Sequence, residues 1–350
     1  MMPALLAGAL ALAADAPAPM PAPAPQAQAW RLFALINQPA QARRAAPQAA
    51  PAFSWQTWPT AAATFRQDGA DPGPWNPDRI GIDRFEGIVP ASPRLRHIEA
   101  GRMVPVTDPL TIARRLVEVR LNPVSYEFIR DRGLYTVDGQ RRAVNAGPVQ
   151  FPPRSLQLKA GWRPITRQQR GGYYTMTLRM ADGRVRTYGL AALNLAFKTP
   201  AGTWLWASFE HSETPVSADP ATAAAQSLNP PWRHYRLRGI QTTFVDAAGQ
   251  ATRLGNAELE AGLGDSASCM TCHARASIGL DDASAARLPV FAPAPPGVRR
   301  GYVGRPDPDW FTHADPQGQR HTVFAQLDFV WSLAQAAPRA AAIPAQGNIQ

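Results

Sequence analysis

The hydrophobic pattern of this 350-residue chain changes near residue 150, and that change constrains the fold more than any other feature. From there apolar residues recur at every second position, as in SLQLKAGW (155–162) and YYTMTLRM. A period of two is typical of strands with one buried face. Asp182-Gly183 is a hairpin-turn signal, and TWLWASFEH (203–211) is apolar on both faces, which indicates a central strand. The pattern predicts an antiparallel β core over about 150–255.

Helical patterns lie on both sides of this core. Four stretches combine a helical period with a start or stop signal, at 29–37, 108–121, 122–133 and 256–263. In the third, Asn122 and Pro123 are the expected N-cap and first helical residue, and Gly133 is the expected stop. Asp108 and Asn256 are the expected N-caps of the second and fourth.

Both cysteines of the chain lie in GDSASCMTCHARASIG, with the spacing Cys269-x-x-Cys272-His273. This spacing is the attachment signature of c-type haem. Each thiol can add to one porphyrin vinyl group, and the imidazole can bind the iron from the proximal side. On a helix, the three side chains share one face. The motif therefore predicts one covalent haem c. Together with the strand and helix patterns, it predicts an α+β fold: helices precede an antiparallel β core, and a small α-helical haem segment follows it.

Other interpretations of the same residues remain open. A structural zinc site usually has four ligands, and no second cysteine pair is present. A thioredoxin-like redox pair needs a βαβ context, which the surrounding pattern lacks. A disulfide would leave His273 without a role. Chance spacing is the fourth alternative.

The two ends of the chain carry signals of export and of low order. Residues 4–14 are an unbroken apolar run, long enough for a signal peptide and too short to span a bilayer. Ala11-Leu12-Ala13 predicts cleavage after residue 13, although no Lys or Arg precedes the run. Export to the periplasm or the medium is expected, with no later segment that spans a membrane. The domain prediction is a signal peptide (1–13), an Ala/Pro-rich linker (14–28), an α+β domain (29–255), a cytochrome c-like haem segment (256–336) and a disordered tail (337–350).

The net charge of +10 comes almost entirely from arginine, because Lys159 and Lys198 are the only lysines. A basic surface favours an acidic redox partner, although GC-rich coding would enrich arginine as well. The arginines are scattered and no helix carries a basic stripe, which argues against nucleic acid as a partner.

Six stretches occur in an order that resembles a family of secreted, largely uncharacterised bacterial proteins with a single C-terminal CxxCH haem segment. They are WRLFALINQPA, WQTW, SLQLKAGWR, TWLWASFEH, YRLRGIQ…LGNAELE and SCMTCHARA. The resemblance covers roughly residues 29–335 and implies haem binding and electron transfer, without a substrate. The chain has Gln38 where the family often has Trp. In the family an Asn often comes soon after the Phe-Glu-His sequence, whereas this chain has Ser212-Glu213-Thr214 there. This difference puts a shared role for that loop in doubt.

No methionine follows Met270, so the sixth iron ligand of small class I-type cytochromes has no counterpart here. His211 is the preferred distal candidate, because the pattern places it on the apolar face of a buried strand, although a hydrogen-bonded core histidine would give the same pattern. A methionine of the preceding domain is not expected, because Met176 and Met180 are more simply explained as β core. The other candidates are His321 and His313, or the position has no protein ligand. Trp204 and Trp206 are expected to be core residues or to form a wall of the haem pocket.

The sequence thus favours a periplasmic mono-haem c-type protein that transfers single electrons. The chain is longer than a simple shuttle needs. The alternatives are therefore a peroxidase-like, haem-dependent oxidoreductase with an open sixth position, or a haem-based sensor or binding module. The spin state and ligand binding of the iron would separate these functions.

Overall fold

The computed structural model describes residues 24–40, 53–76, 86–87, 96–99, 102–105, 116–179, 185–215, 231–260, 266–280, 286–288 and 303–338. The predicted signal peptide, nearly all of the predicted tail and the Asp182-Gly183 turn lie outside these residues. No helix in the described ranges has the length and apolar character needed to cross a membrane.

A seven-stranded antiparallel sheet is the centre of the structure, as the period-two pattern predicts. Its strands are β1 (Glu86–Gly87), β4 (Leu116–Leu121), β5 (Leu156–Pro164), β6 (Thr175–Arg179), β7 (Val185–Lys198), β8 (Trp204–His211) and β9 (Tyr235–Gln241). The order is β1-β4-β5-β7-β8-β9, and β6 pairs with the first part of β7. A separate hairpin joins β2 (Arg96–Glu99) to β3 (Arg102–Pro105).

Four helices precede the motif among the described residues: α1 (Pro25–Ile36), α2 (Ala61–Thr64), α3 (Pro123–Asp131) and α4 (Val137–Ala146). The start of α3 is as predicted, since the Asn122 side chain accepts a hydrogen bond from the Ser125 N–H and Pro123 follows it. Gly133, at φ 65°, lies just beyond its end. The helix α1 begins at Pro25, so residues 25–28 belong to it and not to the predicted linker.

Each side of the sheet buries a different set of residues. On the side that we call the α1 face, Leu158, Leu195, Leu205 and Phe209 pack against α1, and the rings of Phe33 and Phe209 stack with centroids 4.3 Å apart. Alternate residues of a strand point to opposite sides. On the opposite side, which we call the motif face, Ala196, Trp204 and Trp206 pack with Leu254 and Met270.

Two predicted helices are wrong where the structure describes them. Residues 116–121 form β4 and not the end of a helix, and residues 106–115 lie outside the described ranges. Glu118 and Arg120 lie on one face of β4 and pair at 3.0 Å, and the Arg120 guanidinium also donates to backbone carbonyls of Gln56 and Trp58. Residues 257–260 form a turn, in which the Asn256 side chain accepts from the Glu258 N–H.

The predicted haem segment, 256–336, is less helical than expected. Its α-helix among the described residues is α5 (Cys269–His273), which holds the motif. The remaining elements are β10 (Ser277–Gly279), β11 (Thr312–Ala314), β12 (Arg320–Thr322), β13 (Phe324–Gln326) and two 3₁₀ turns. Strand β10 pairs with β13, and β11 pairs with β12.

The segments on either side of the predicted boundary at 255/256 share one core. Met270, Ile278 and Leu333 pack in the same cluster as Leu121 and Trp204. The buried Gln140 side chain of α4 donates to Leu333 O at 2.9 Å and accepts from Arg287 at 2.6 Å. The C-terminal part is therefore packed onto the sheet, and Ala337, in the predicted tail, accepts a hydrogen bond from the Val137 N–H.

Candidate haem-binding site

The CxxCH motif forms a one-turn helix with a defined start. Ser268 has extended backbone angles, and its Oγ accepts from the Thr271 N–H at 3.0 Å. Ser268 is thus the N-cap of the motif helix. The helix brings Cys269, Cys272 and His273 into one turn, and the two sulfurs are not joined in a disulfide.

Gln241, at the end of β9, attaches the motif helix to the sheet. Its Nε2 donates to Ser268 Oγ at 2.7 Å, and its Oε1 accepts from the Met270 N–H at 2.9 Å. Leu254 adds two backbone hydrogen bonds, one to Ala267 and one from the Cys269 N–H. These contacts hold the motif on a rigid element, which a site needs if its geometry is to be maintained.

The environment of Cys269 does not favour a reactive thiolate. Burial raises the pKa of its thiol well above the usual value, and the nearby charge of Glu260 acts in the same direction. Its Sγ lies 3.0 Å from Leu254 O, where the thiol can donate. Redox-active CxxC pairs have lowered thiol pKa values, so the thioredoxin-like interpretation is disfavoured.

His273 has the arrangement expected of an imidazole that binds a metal through Nε2. Its Nδ1 lies 2.8 Å from Phe329 O. A carbonyl can only accept, so Nδ1 carries the proton and Nε2 presents a lone pair. No residue in the described ranges hydrogen-bonds to Nε2. Burial lowers the pKa of His273, which favours the neutral imidazole. Metal-binding histidines almost always donate their other N–H in this way.

The carbonyl that orients His273 belongs to an unusual turn. Asp328 and Phe329 have φ values of 47° and 65°, although neither is a glycine. Such angles cost free energy and persist where the surroundings impose them. Here the Asp328 carboxylate accepts from Trp204 Nε1 at 3.0 Å, from the Phe151 N–H at 2.5 Å and from Lys198 Nζ. The turn is therefore held by a buried ion pair and two further hydrogen bonds.

The motif face combines apolar side chains with buried polar atoms that have no hydrogen-bond partner in the described part of the chain. The Trp206 ring lies 5.9 Å from the His273 ring and 5.5 Å from the Phe329 ring. Trp206 Nε1, Gln157 Nε2 and Asn194 Oδ1 are buried without a hydrogen bond among the described residues. They lie on three neighbouring strands, since Ala196 pairs with both Gln157 and Trp206. Buried polar atoms normally have partners, so this surface fits a cofactor that is apolar in its body and polar at its edge.

A charged pair lies beside the motif on the same face. Lys159 Nζ is 3.1 Å from Glu260 Oε1, and the two side chains are 31% and 23% exposed. Asn194 also donates to Glu260 Oε1, at 3.4 Å, and the Asn256 N–H donates to Oε2. Burial and the hydrogen bond to Phe329 have the largest effects on the pKa of His273, and the charges of Lys159 and Glu260 have smaller ones. The same two charges also affect the pKa of the Cys269 thiol. Lys159 and Glu260 therefore lie within electrostatic reach of the predicted haem ligands.

The structure does not bring His211, the preferred distal candidate, to the motif. His211 does share a strand side with Leu205, Ala207 and Phe209, as the sequence predicts, but these residues lie on the α1 face. The motif lies on the opposite face, so the sheet separates His211 from His273. The His211 ring stacks on Tyr173 at 3.4 Å, and its Nε2 is 2.9 Å from Gly172 O. His211 is thus a hydrogen-bonded histidine of the other face.

The remaining candidates that the structure describes contact other parts of the protein. Met176 packs against the core of the α1 face. His321, which is exposed, lies 2.8 Å from Asp315 and pairs with His313 across β11 and β12. Met180 lies outside the described residues. Trp204 and Trp206 are both buried, which agrees with either of the two expected roles, and the Trp206 ring lies 5.9 Å from the His273 ring.

Comparisons of the chain with protein families, curated proteins and solved structures give no match. In the described part of the chain, no three His, Cys, Asp or Glu side chains converge on one point as ligands of a metal ion. Sequence reasoning missed Gln241, Asp328, Phe329 and the Lys159–Glu260 pair. The one signal that could have pointed to Lys159 is the scarcity of lysine in a chain with 36 Lys and Arg residues.

Proposed function

We propose that this chain is a mono-haem c-type protein that transfers single electrons. One haem c is bound covalently at Cys269 and Cys272, and His273 is the proximal iron ligand. The observation that carries the proposal is the hydrogen bond from His273 Nδ1–H to Phe329 O, which leaves Nε2 for a metal. When bound, the haem supplies the one-electron redox chemistry.

The residues around the motif have distinct roles in this proposal. Cys269 and Cys272 anchor the group so that it cannot dissociate between electron transfers. The indole N–H of Trp206 and the amide N–H of Gln157 can donate to haem carboxylates, which would satisfy two buried donors. Phe329 and Trp206 exclude water from the side of His273.

Covalent haem also bears on the location and the partner of the protein. Covalent haem is normally attached outside the cytoplasm, which agrees with the apolar N-terminal run over residues 4–14. We propose a periplasmic or secreted location and membership of the secreted CxxCH family that the motif order resembles. The net charge of +10 suits an acidic redox partner.

The test is expression of the full chain together with a c-type haem maturation system, followed by a pyridine haemochrome spectrum. We expect the spectrum of a haem with two thioether bonds in the wild type and in the control Met270→Leu, which changes a residue between the thiols. Cys269→Ala and Cys272→Ala should each retain at most one thioether. Colourless wild-type protein that is folded and exported would contradict the proposal.

A further inference from the structure

We propose that Lys159 supplies the sixth ligand of the haem iron, through its Nζ, on the side opposite His273. This inference rests on the proposed function and adds to it the state of the iron. A protein ligand at the sixth position closes the iron to small molecules, which suits electron transfer and excludes an open, peroxidase-like site.

The position of Lys159 in the sheet is the first argument. In β5, Leu158 points to the α1 face, so Lys159 and Gln157 point to the motif face. Lys159 pairs across the ladder with Asn194, whose buried Oδ1 has no hydrogen-bond partner among the residues that the structure describes. The amine is therefore on the motif face, and its charge is felt by His273 and Cys269.

The second argument is that position 159 carries lysine in a chain whose other basic residues are almost all arginine. Of the 36 Lys and Arg residues, Lys159 and Lys198 are the only lysines, and both point to the motif face. Lys198 is 7% exposed and is held by Asp328. An arginine would make the ion pair with Glu260 equally well, but it cannot lose its proton in a protein and so cannot bind iron. A role as a ligand explains why this position in an arginine-rich chain carries lysine.

The third argument is that other side chains able to bind iron at the sixth position lie elsewhere. His211 lies beyond the sheet and Met176 packs in the core of the α1 face. Met270 lies on the motif helix itself, between the two thiols. Lys159 is a described nitrogen donor of the motif face whose charge acts on His273, and it belongs neither to the motif helix nor to the Asp328 network.

Ligation by Lys159 requires one proton to leave. The ammonium releases it to solvent, and the nitrogen lone pair then forms the bond to iron. Two N–H groups remain on the nitrogen, and one of them can keep donating to Glu260 Oε1. No electron is transferred in this step, so it needs no oxidant or reductant.

Optical and electron paramagnetic resonance spectra of the full-length ferric holoprotein test the inference. We expect a low-spin wild type that does not bind CO when reduced. Lys159→Arg keeps the charge beside Glu260 but cannot bind iron, so it should become high-spin and bind CO. Lys159→Met supplies a thioether and should be low-spin, with a methionine–iron charge-transfer band. The control His211→Ala should keep the wild-type spectrum.

Intact mass measured on each variant separates the two proposals. Haem that stays attached in Lys159→Arg while the spin state changes supports Lys159 as the ligand. A wild type that is high-spin and binds CO, or a Lys159→Arg spectrum identical to the wild type, would overturn the inference and leave covalent haem untouched. Absence of haem from the wild type itself would refute the proposed function, and the ligand assignment with it.

Discussion

Replacing Asp328 by alanine should destabilise the protein more than any change at an exposed ion pair. The Asp328 carboxylate is 10% exposed and its partner Lys198 is 7% exposed. The same carboxylate accepts hydrogen bonds from Trp204 Nε1 and from the Phe151 N–H. Asp328→Ala therefore leaves a buried ammonium and two buried N–H groups without their acceptor.

The expected magnitude follows from these contacts. Breaking a buried ion pair by removing one partner costs about 3–5 kcal/mol, a large share of the roughly 5–15 kcal/mol that stabilises a typical domain. Asp328→Asn should cost less, because the amide oxygen can still accept from Trp204. Removing both charges in Asp328→Asn with Lys198→Met should cost less than the sum of the single changes, since no unpaired charge stays buried.

Urea denaturation followed by tryptophan fluorescence measures these free energies of unfolding. The matched control is Asp68→Ala, which breaks the exposed Arg66–Asp68 pair and should cost under about 1 kcal/mol. An Asp328→Ala variant that loses less than about 1 kcal/mol, or a double variant whose loss equals the sum of the single losses, would refute the reasoning. In the holoprotein, the spectrum of Asp328→Asn should also change, because the turn that positions Phe329 O against His273 loses its ion pair with Lys198.

Three further changes test other parts of the structure. Gln241→Ala leaves the Met270 N–H without an acceptor and should lower the free energy of unfolding by about 2 kcal/mol in urea titrations. Asn122→Ala removes the N-cap of α3 and should cost about 1 kcal/mol in the same assay. Burial lowers the pKa of His211 to about 4 from about 6.5 in the unfolded chain, so the unfolded state binds the extra proton. Stability should therefore fall as pH is lowered from about 6.5 to about 4, and His211→Gln should lose this component.

Local patterns of the sequence are sufficient to predict much of the sheet. Alternation over 155–162 corresponds to β5, the apolar run over 203–211 corresponds to β8, and the turn signal at 182–183 lies in sequence between β6 and β7, which pair antiparallel. These predictions succeed because a strand with one apolar face shows its period directly. The cap at Asn122 succeeds for a similar reason, since the side chain bonds to a neighbouring backbone N–H.

The failures have a common origin in long-range contacts. LVEVRL (116–121) has good helix formers, but the pairing of β4 with β5 and the bonds from Arg120 to Gln56 and Trp58 favour a strand. The side of the strand predicted for His211 is correct, but alternation does not reveal on which side a segment 60 residues later will pack. The position of Phe329 O next to His273 depends on a turn held by Lys198, which no local pattern predicts.

The central claim is that Cys269 and Cys272 hold one haem covalently, and the intact mass of the purified protein tests it most directly. The wild-type protein should show a single haem-sized increase over the polypeptide mass, and this increase should survive acid–acetone extraction. The same measurement on Cys269→Ala with Cys272→Ala should show the polypeptide alone. A wild-type polypeptide mass without the increase, after expression with an active maturation system, would contradict the account.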